Sequence, residues 1–393
     1  MSSSFNELLT TNQTKVSIDI AKHLFLKESN KNKNIVFSPL FLQFVLSLIA
    51  AGSEGPTKQQ LLNFLLSKSS DDLNGFASHF VSDTLNDAAP AGGPRLSFLD
   101  GVFVEQTFPL QDSFKQIVSK NYKTILASYD FKNQAEEAVK AVNLWVEKKT
   151  NCLIKELLPP RLNDPNTGLI FANALFFKGA WDQKFDVSKT KDYDFHLLNG
   201  RSVKVPFMIT MEKQCIQTFS DFKVLRLPYK KGGEDKRRFS MYLFLPNAKD
   251  GLSALVKRLT STPNLLRNFR NSRLEVRDCR IPKFNISFGF EATDMLKDLG
   301  VDLPFSPKTV NSDVSHHGLF VSNIFHKSFF KVEEEKEEGT EAAATSDAGF
   351  SYKCARPRSR LDFVADHPFL FLIREDLKEE ILFIGQVLNP LAR

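Results

Sequence analysis

EEEKEEGTEAAATSDAGFSYKCARPRSRLDF, residues Glu333–Phe363, starts acidic, passes through small uncharged residues and ends basic, with Pro357 interrupting the basic part. Charge runs with few large apolar residues ordinarily stay solvated, so one reading is an unstructured insert. The alternation supports another. From Thr340, every second residue is Thr340, Ala342, Ala344, Ser346, Ala348 and Phe350, all uncharged and mostly small. The intervening set, Glu341, Ala343, Thr345, Asp347, Gly349 and Ser351, holds both charges. Successive side chains of a strand point to opposite faces, so this stretch can join a sheet with its charges toward water. Small residues on the other face fit between existing strands without overpacking. Gly339, just ahead, supplies backbone freedom.

The rest of the chain is that of an ordinary soluble protein. Of 393 residues, 42% are hydrophobic and 25% charged, which fits one large mixed domain or two to three average ones. The 37 phenylalanines indicate a large aromatic core. A net charge of +6 without a dense Lys/Arg helix gives no nucleic-acid footprint. The N-terminal residues carry no secretory signal pattern, and no apolar run is long enough for a membrane span. Cys152, Cys215, Cys279 and Cys354 are widely spaced, which suits reduced thiols in the cytoplasm, with the nucleus as a second compartment.

Helical periodicity dominates the first third, in SIDIAKHLFLKE, SPLFLQFVLSLIAAGS, GPTKQQLLNFLLSK and AEEAVKAVNLWVEKKTN. Ser38-Pro39 reads as a helix N-cap and first turn, and Gly52 as its end. Strand patterns follow: GLIFANALFFKGAW, FKVLRLPYK, FSMYLFLPN, LEVRDCRIPKFNISFGF, HKSFFKVEEE, PFLFLIRE and EILFIGQVLNP, with one helix at 291–299. Regular strand–helix alternation is missing, so the fold class is α+β with large antiparallel sheets.

Catalytic signatures are missing too. There is no phosphate-binding glycine loop, His-Glu-x-x-His or Gly-x-Ser-x-Gly. His316-His317 has no carboxylate or cysteine at ligand spacing, so it reads as a solvated turn; no metal or cofactor is expected. Cys354 lies beside Lys353, which would lower a thiol pKa, but no rigid site with a positioned base surrounds it.

EEGTEAAATS resembles the hinge of a serpin reactive-centre loop. NIVFSPL, FANALFFKGAWDQKF, FHKSFFKVEEE, DHPFLFLI and FIGQVLNP resemble further serpin signatures in the expected order, and YKKGGEDKRRFSMYLFLPNAKDGL and LDFVADHPF are similar to the plant branch. The resemblance spans about residues 10–390. It implies a single domain over 1–393 with three β-sheets, about nine helices and an exposed reactive-centre loop at about 337–362. It implies a protease inhibitor that is not an enzyme. A target protease attacks the loop, and the cleaved loop inserts into the main β-sheet and traps the acyl-enzyme.

Carried over residue by residue, the hinge is Glu338, Gly339, Thr340, Glu341, Ala342, Ala343 and Ala344. The family places the attacked carbonyl fourteen residues past the hinge glycine, at Lys353, so the reactive bond is Lys353–Cys354, preceded by Phe350, Ser351 and Tyr352. Lys353 implies trypsin-like or metacaspase-like targets, and Tyr352 suits papain-like ones. The stretch from Lys353 to DFVADHPF is about one residue shorter than in plant serpins, which bears on this register. Ser38, Asn173 and His326 match a polar cluster that holds the sheet closed, and Trp181 an aromatic near the point of insertion. Phe41 departs from the family's usual serine and cannot offer a hydroxyl hydrogen bond. The segment 67–87 lacks a basic stripe, so helix-based heparin activation is not expected. A monomer is expected, with no nucleic-acid or membrane partner. The alternative function is a non-inhibitory serpin with a storage, binding or chaperone-like role, which a bulky or charged residue at Thr340, Ala342 or Ala344 would have favoured.

Overall fold

Ser38 shows how closely local chemistry sets the elements. Its hydroxyl accepts the Phe41 N–H at 3.3 Å, and with Pro39 in the first turn it starts a helix whose thirteen residues are all buried. A helix apolar on every side belongs inside a protein. The computed structural model describes residues 3–85, 92–162, 167–262, 269, 272–306, 320–334 and 361–392. Among them are eight α-helices, against the nine or so expected: α1 (Ser3–Leu26), α2 (Pro39–Ala51), α3 (Gly55–Phe64), α4 (Ser70–His79), α5 (Asp112–Ile117), α6 (Ala135–Lys149), α7 (Leu252–Ser261) and α8 (Thr293–Asp298).

Fifteen strands among the described residues form three sheets. In chain order they are β1 (Ile35–Phe37), β2 (Arg95–Glu105), β3 (Ile125–Tyr129), β4 (Leu169–Lys178), β5 (Lys191–His196), β6 (Ser202–Thr210), β7 (Cys215–Thr218) and β8 (Phe222–Pro228). There follow β9 (Phe239–Pro246), β10 (Val276–Pro282), β11 (Phe284–Glu291), β12 (Asn323–Val332), β13 (Leu361–Val364), β14 (Phe369–Glu375) and β15 (Glu380–Val387). The sheets run β1-β15-β14-β9-β8-β7, β13-β10-β6-β5 and β11-β12-β4-β2-β3.

The sheets are not purely antiparallel, as the strand patterns had suggested. β2 with β3, β4 with β12, and β10 with β13 are parallel. Parallel neighbours need long connections, and apolar alternation does not reveal them. The run read as one strand over LEVRDCRIPKFNISFGF splits at Lys283 into β10 and β11, in different sheets. Pro282, with no N–H to give a ladder, stands at the break.

β4 is buried on both faces. Leu169, Phe171, Leu175 and Phe177 join the large core beneath α2, while Ile170, Ala172 and Ala174 meet Val139, Val142 and Val146 of α6 in a second core. Such a strand reads as a continuous apolar run, as FANALFF does.

In the six-stranded sheet the close approach of three strands requires glycine at position 385. A Cβ there would lie 2.4 Å from the Phe371 ring and 2.6 Å from the Ile35 carbonyl oxygen. Gly385→Ala is therefore expected to destabilise the fold by about 1–3 kcal/mol, read as a lower urea midpoint with an unchanged slope.

Candidate functional site

β4 and β12 pair in parallel from Asn323↔Ile170 to Phe330↔Phe177, and at the middle of this seam His326 stands opposite Asn173. The His326 Nε2 accepts the backbone N–H of Ser38 at 3.2 Å and lies 2.7 Å from the Ser328 hydroxyl. An accepting Nε2 assigns the ring proton to Nδ1. Burial lowers the imidazole pKa to about 3, so the ring is neutral. Across the seam, Asn173 Nδ2 donates to the Leu99 carbonyl at 2.9 Å. His326 Nδ1 and Asn173 Oδ1 are both buried, and neither has a hydrogen-bond partner among the described residues. They are a complementary donor and acceptor on facing residues.

Phe41 closes the cluster from α2. Its ring, fully buried, stacks on the imidazole with centroids 5.0 Å apart and planes 16° from parallel. The missing hydroxyl is thus replaced by an aromatic lid. The Ser38 hydroxyl, for its part, caps α2, and it is the Ser38 backbone that meets His326.

Trp181 sits apart from this cluster, just past the end of β4. Its Nε1 donates to the Glu333 carbonyl at 3.0 Å, and its ring stacks on Tyr229 at 4.6 Å. The next residue, Glu334, is buried and takes the Lys283 ammonium at 2.9 Å and the Thr190 hydroxyl at 3.4 Å. Burial alone would raise its carboxyl pKa, but the bond from Lys283 leads the interactions that hold it below the usual range. This clamp fixes the chain where it leaves β12. The hinge residues Glu338–Ala344, the segment Phe350–Tyr352 and the bond Lys353–Cys354 lie outside the described residues. The chain is described again from Leu361, where β13 pairs parallel to β10; residues 361 and 362 are therefore strand.

Sequence reasoning missed four of these groups. Lys283 and Glu334 are distant in sequence and carry no motif. Asp100 and Thr124 extend the polar row beyond Asn173: Asp100 pairs with Asn173 in the β2–β4 ladder and accepts the Thr124 hydroxyl at 3.1 Å. Asp100 alone left a signal, as a charge inside the apolar run RLSFLDGVFVE.

A family model described as Serpin (serine protease inhibitor) matches residues 11–390. The chain belongs to the serpin family. It is 50% identical to Serpin-ZXA of Oryza sativa subsp. japonica, over 91% of each chain. It is 46% identical to Serpin-ZX of Arabidopsis thaliana, over 96% of this chain and 97% of that one. Among solved structures, Arabidopsis AtSerpin1 in its native stressed conformation superposes with a TM-score of 0.90 at 43% identity, covering 100% of this chain and 99% of that one. The serpin fold and the plant-type resemblance read from the sequence both hold. Among the described residues no group of histidines, cysteines and carboxylates could hold a metal, and no helix is long and apolar enough to cross a membrane.

The serpin's Glu334 clamp has a testable sign. Its carboxyl contributes while ionised and paired, above the ordinary carboxylate pKa, and the contribution is lost as pH falls through the lowered value. Lys283→Met should cost about 2 kcal/mol near pH 7, less than for a fully buried pair because Lys283 is 27% exposed. The gap in melting temperature between the two proteins should narrow as pH falls below the ordinary carboxylate value of 4.5 and through the lowered one.

Proposed function

We propose that this serpin is a suicide-substrate inhibitor of Lys/Arg-specific serine or cysteine proteases, and that the whole chain acts as one domain presenting the residues from about 337 to the start of β13 as bait. The observation that carries this reading is the parallel β4–β12 seam with the bait leaving from the end of β12. A chain that turns back from β12 runs antiparallel to it, and so antiparallel to β4 as well. One strand of that direction would turn the parallel pair into two antiparallel ladders, the more stable pairing. Thr340, Ala342 and Ala344 are small enough for the inward face.

A protease attacks the Lys353 carbonyl and releases the amine of Cys354, leaving an acyl-enzyme on Lys353. The freed arm then enters the seam. At ~3.3 Å per residue, about fourteen inserted residues carry the protease on the order of 45 Å. Lys353 pairs its ammonium with a carboxylate at the base of the specificity pocket. Trypsin-like and metacaspase-like enzymes have the matching preference, and Tyr352 extends the range to papain-like ones. Cys152 and Cys279 are free thiols, in keeping with action in the cytoplasm or nucleus. The protein acts as a monomer and needs no cofactor.

Incubation with a trypsin-like protease should give an SDS-stable adduct whose acyl bond maps by mass spectrometry to Lys353, and Lys353→Ala should lower adduct yield at least ~10-fold by removing the pocket ion pair. Clean turnover without adduct would point to a non-inhibitory serpin. Thr340→Arg is expected to shift the protein from inhibitor to substrate with cleavage still at Lys353, because a buried arginine opposes insertion. Undiminished adduct in that variant contradicts strand insertion.

A further inference from the structure

The polar row at the seam continues one strand further than the serpin signatures suggest. Phe290, His326, Asn173 and Asp100 occupy one register level across β11, β12, β4 and β2, and Thr124 completes it just before β3. Asp100 shares its face with Val102 and Val104 in the core under α2, and only 9% of it is exposed. Among the described residues no cation pairs with it. Its hydrogen-bonding neighbours are the neutral Thr124 hydroxyl and the Asn173 amide.

A carboxylic acid fits these neighbours as well as a carboxylate does. A protonated carboxyl still accepts the Thr124 hydroxyl on Oδ2, 3.1 Å away. An ionised Oδ2 accepts from Thr124 but keeps an uncompensated charge in the core. Asn173 is the link to the seam. Its amide nitrogen points toward β2, to Leu99 and Asp100, which leaves Oδ1 free for the His326 side.

We propose that Asp100 is a positioning residue for sheet opening: protonated, it holds Asn173 square to His326 and keeps β4 and β12 together, and on losing its proton it loosens that seam. The inference rests on the reading that the sheet opens between these strands. The groups around Asp100 leave it to titrate alone. α2 has no ionisable side chain. Tyr122, buried and bonded to Asn74, has its pKa pushed further up, and His326 is neutral. On α4 and the segment before β3, Asp71, His79, Lys120 and Lys123 face solvent and Asp72 is half-buried.

Burial raises the Asp100 pKa from 3.8 to about 8. Between those values the closed fold holds a proton that the open or unfolded chain has lost, so its stability falls as pH rises and levels off above about 8. His326 acts in the opposite sense, favouring the fold as pH rises from about 3 to 6.5. Asp100 is thus the member of the row whose effect stands alone from pH 6.5 to 8.

The test is hydrogen exchange on the intact serpin, without protease, at the amides of 171–175 and 324–328, each rate divided by its intrinsic value. From pH 6.5 to 8.5 the opening constant should rise at least ~5-fold in the native protein and less than ~2-fold in Asp100→Asn, which mimics the neutral acid. Thr124→Val, lacking a bond that lowers the Asp100 pKa, should move the rise to higher pH, and it carries the test if Asp100→Asn does not fold. Superimposed profiles for native protein and Asp100→Asn, or an unmoved rise in Thr124→Val, would overturn the proposal. Because no protease is involved, a flat profile in a protein that still forms adducts removes the role of Asp100 and leaves the inhibitor reading standing.

Discussion

The parallel pairing of β4 and β12 is the constraint on which the rest of the molecule depends. Both strands run in one direction at the centre of a sheet, where a strand of opposite direction would pair with each of them. β4 lies between two cores, one under α2 and one under α6, so the seam is shielded on both sides. The next chain after β12 is the segment whose alternate residues are small and uncharged. Topology and side-chain size therefore support the same proposal, the addition of one strand at one place. Lys283 and the Trp181–Glu333 bond fasten the chain at the end of β12.

A seam made only of apolar side chains would slide and reopen without a defined geometry. The polar row instead ties registry to a few hydrogen bonds, each of which is costly to leave unmade in a buried setting. His326 and Asn173 face each other at the row's centre, Ser38 and Phe41 meet the imidazole from α2, and Asp100, opposite Asn173 on β2, accepts the Thr124 hydroxyl from just before β3. The row thus gathers groups contributed by five separate parts of the chain. The phenyl ring at position 41 meets the imidazole by ring stacking and is fully buried.

Much of this was legible in the sequence, for identifiable reasons. The α2 boundaries followed from Ser38-Pro39 and Gly52, and β4, β9, β14 and β15 from apolar runs long enough to cross a core. The hinge stood out through its period-two pattern. Other features could not be read. β2 was hidden because Asp100 and Gly101 interrupt its apolar run within a region dominated by helical periodicity. The division between β10 and β11 depends on which sheet each half joins, and a local pattern does not contain that. Lys283 and Glu334, 51 residues apart, become partners only through the fold. Parallel pairing was invisible for the same reason, since its partners lie apart in sequence, from Gly101 and Ile125 in β2–β3 to Ile170 and Asn323 in β4–β12.

The account requires that the uncut molecule sit above a more stable arrangement of the same chain. Calorimetry of the intact protein beside a sample nicked at a single bond in the bait measures that difference directly. A nicked form that melts well above the intact one, with new antiparallel pairing on both flanks of the former seam, is the result the account predicts. Equal melting temperatures, with β4 and β12 still paired after the cut, would contradict it.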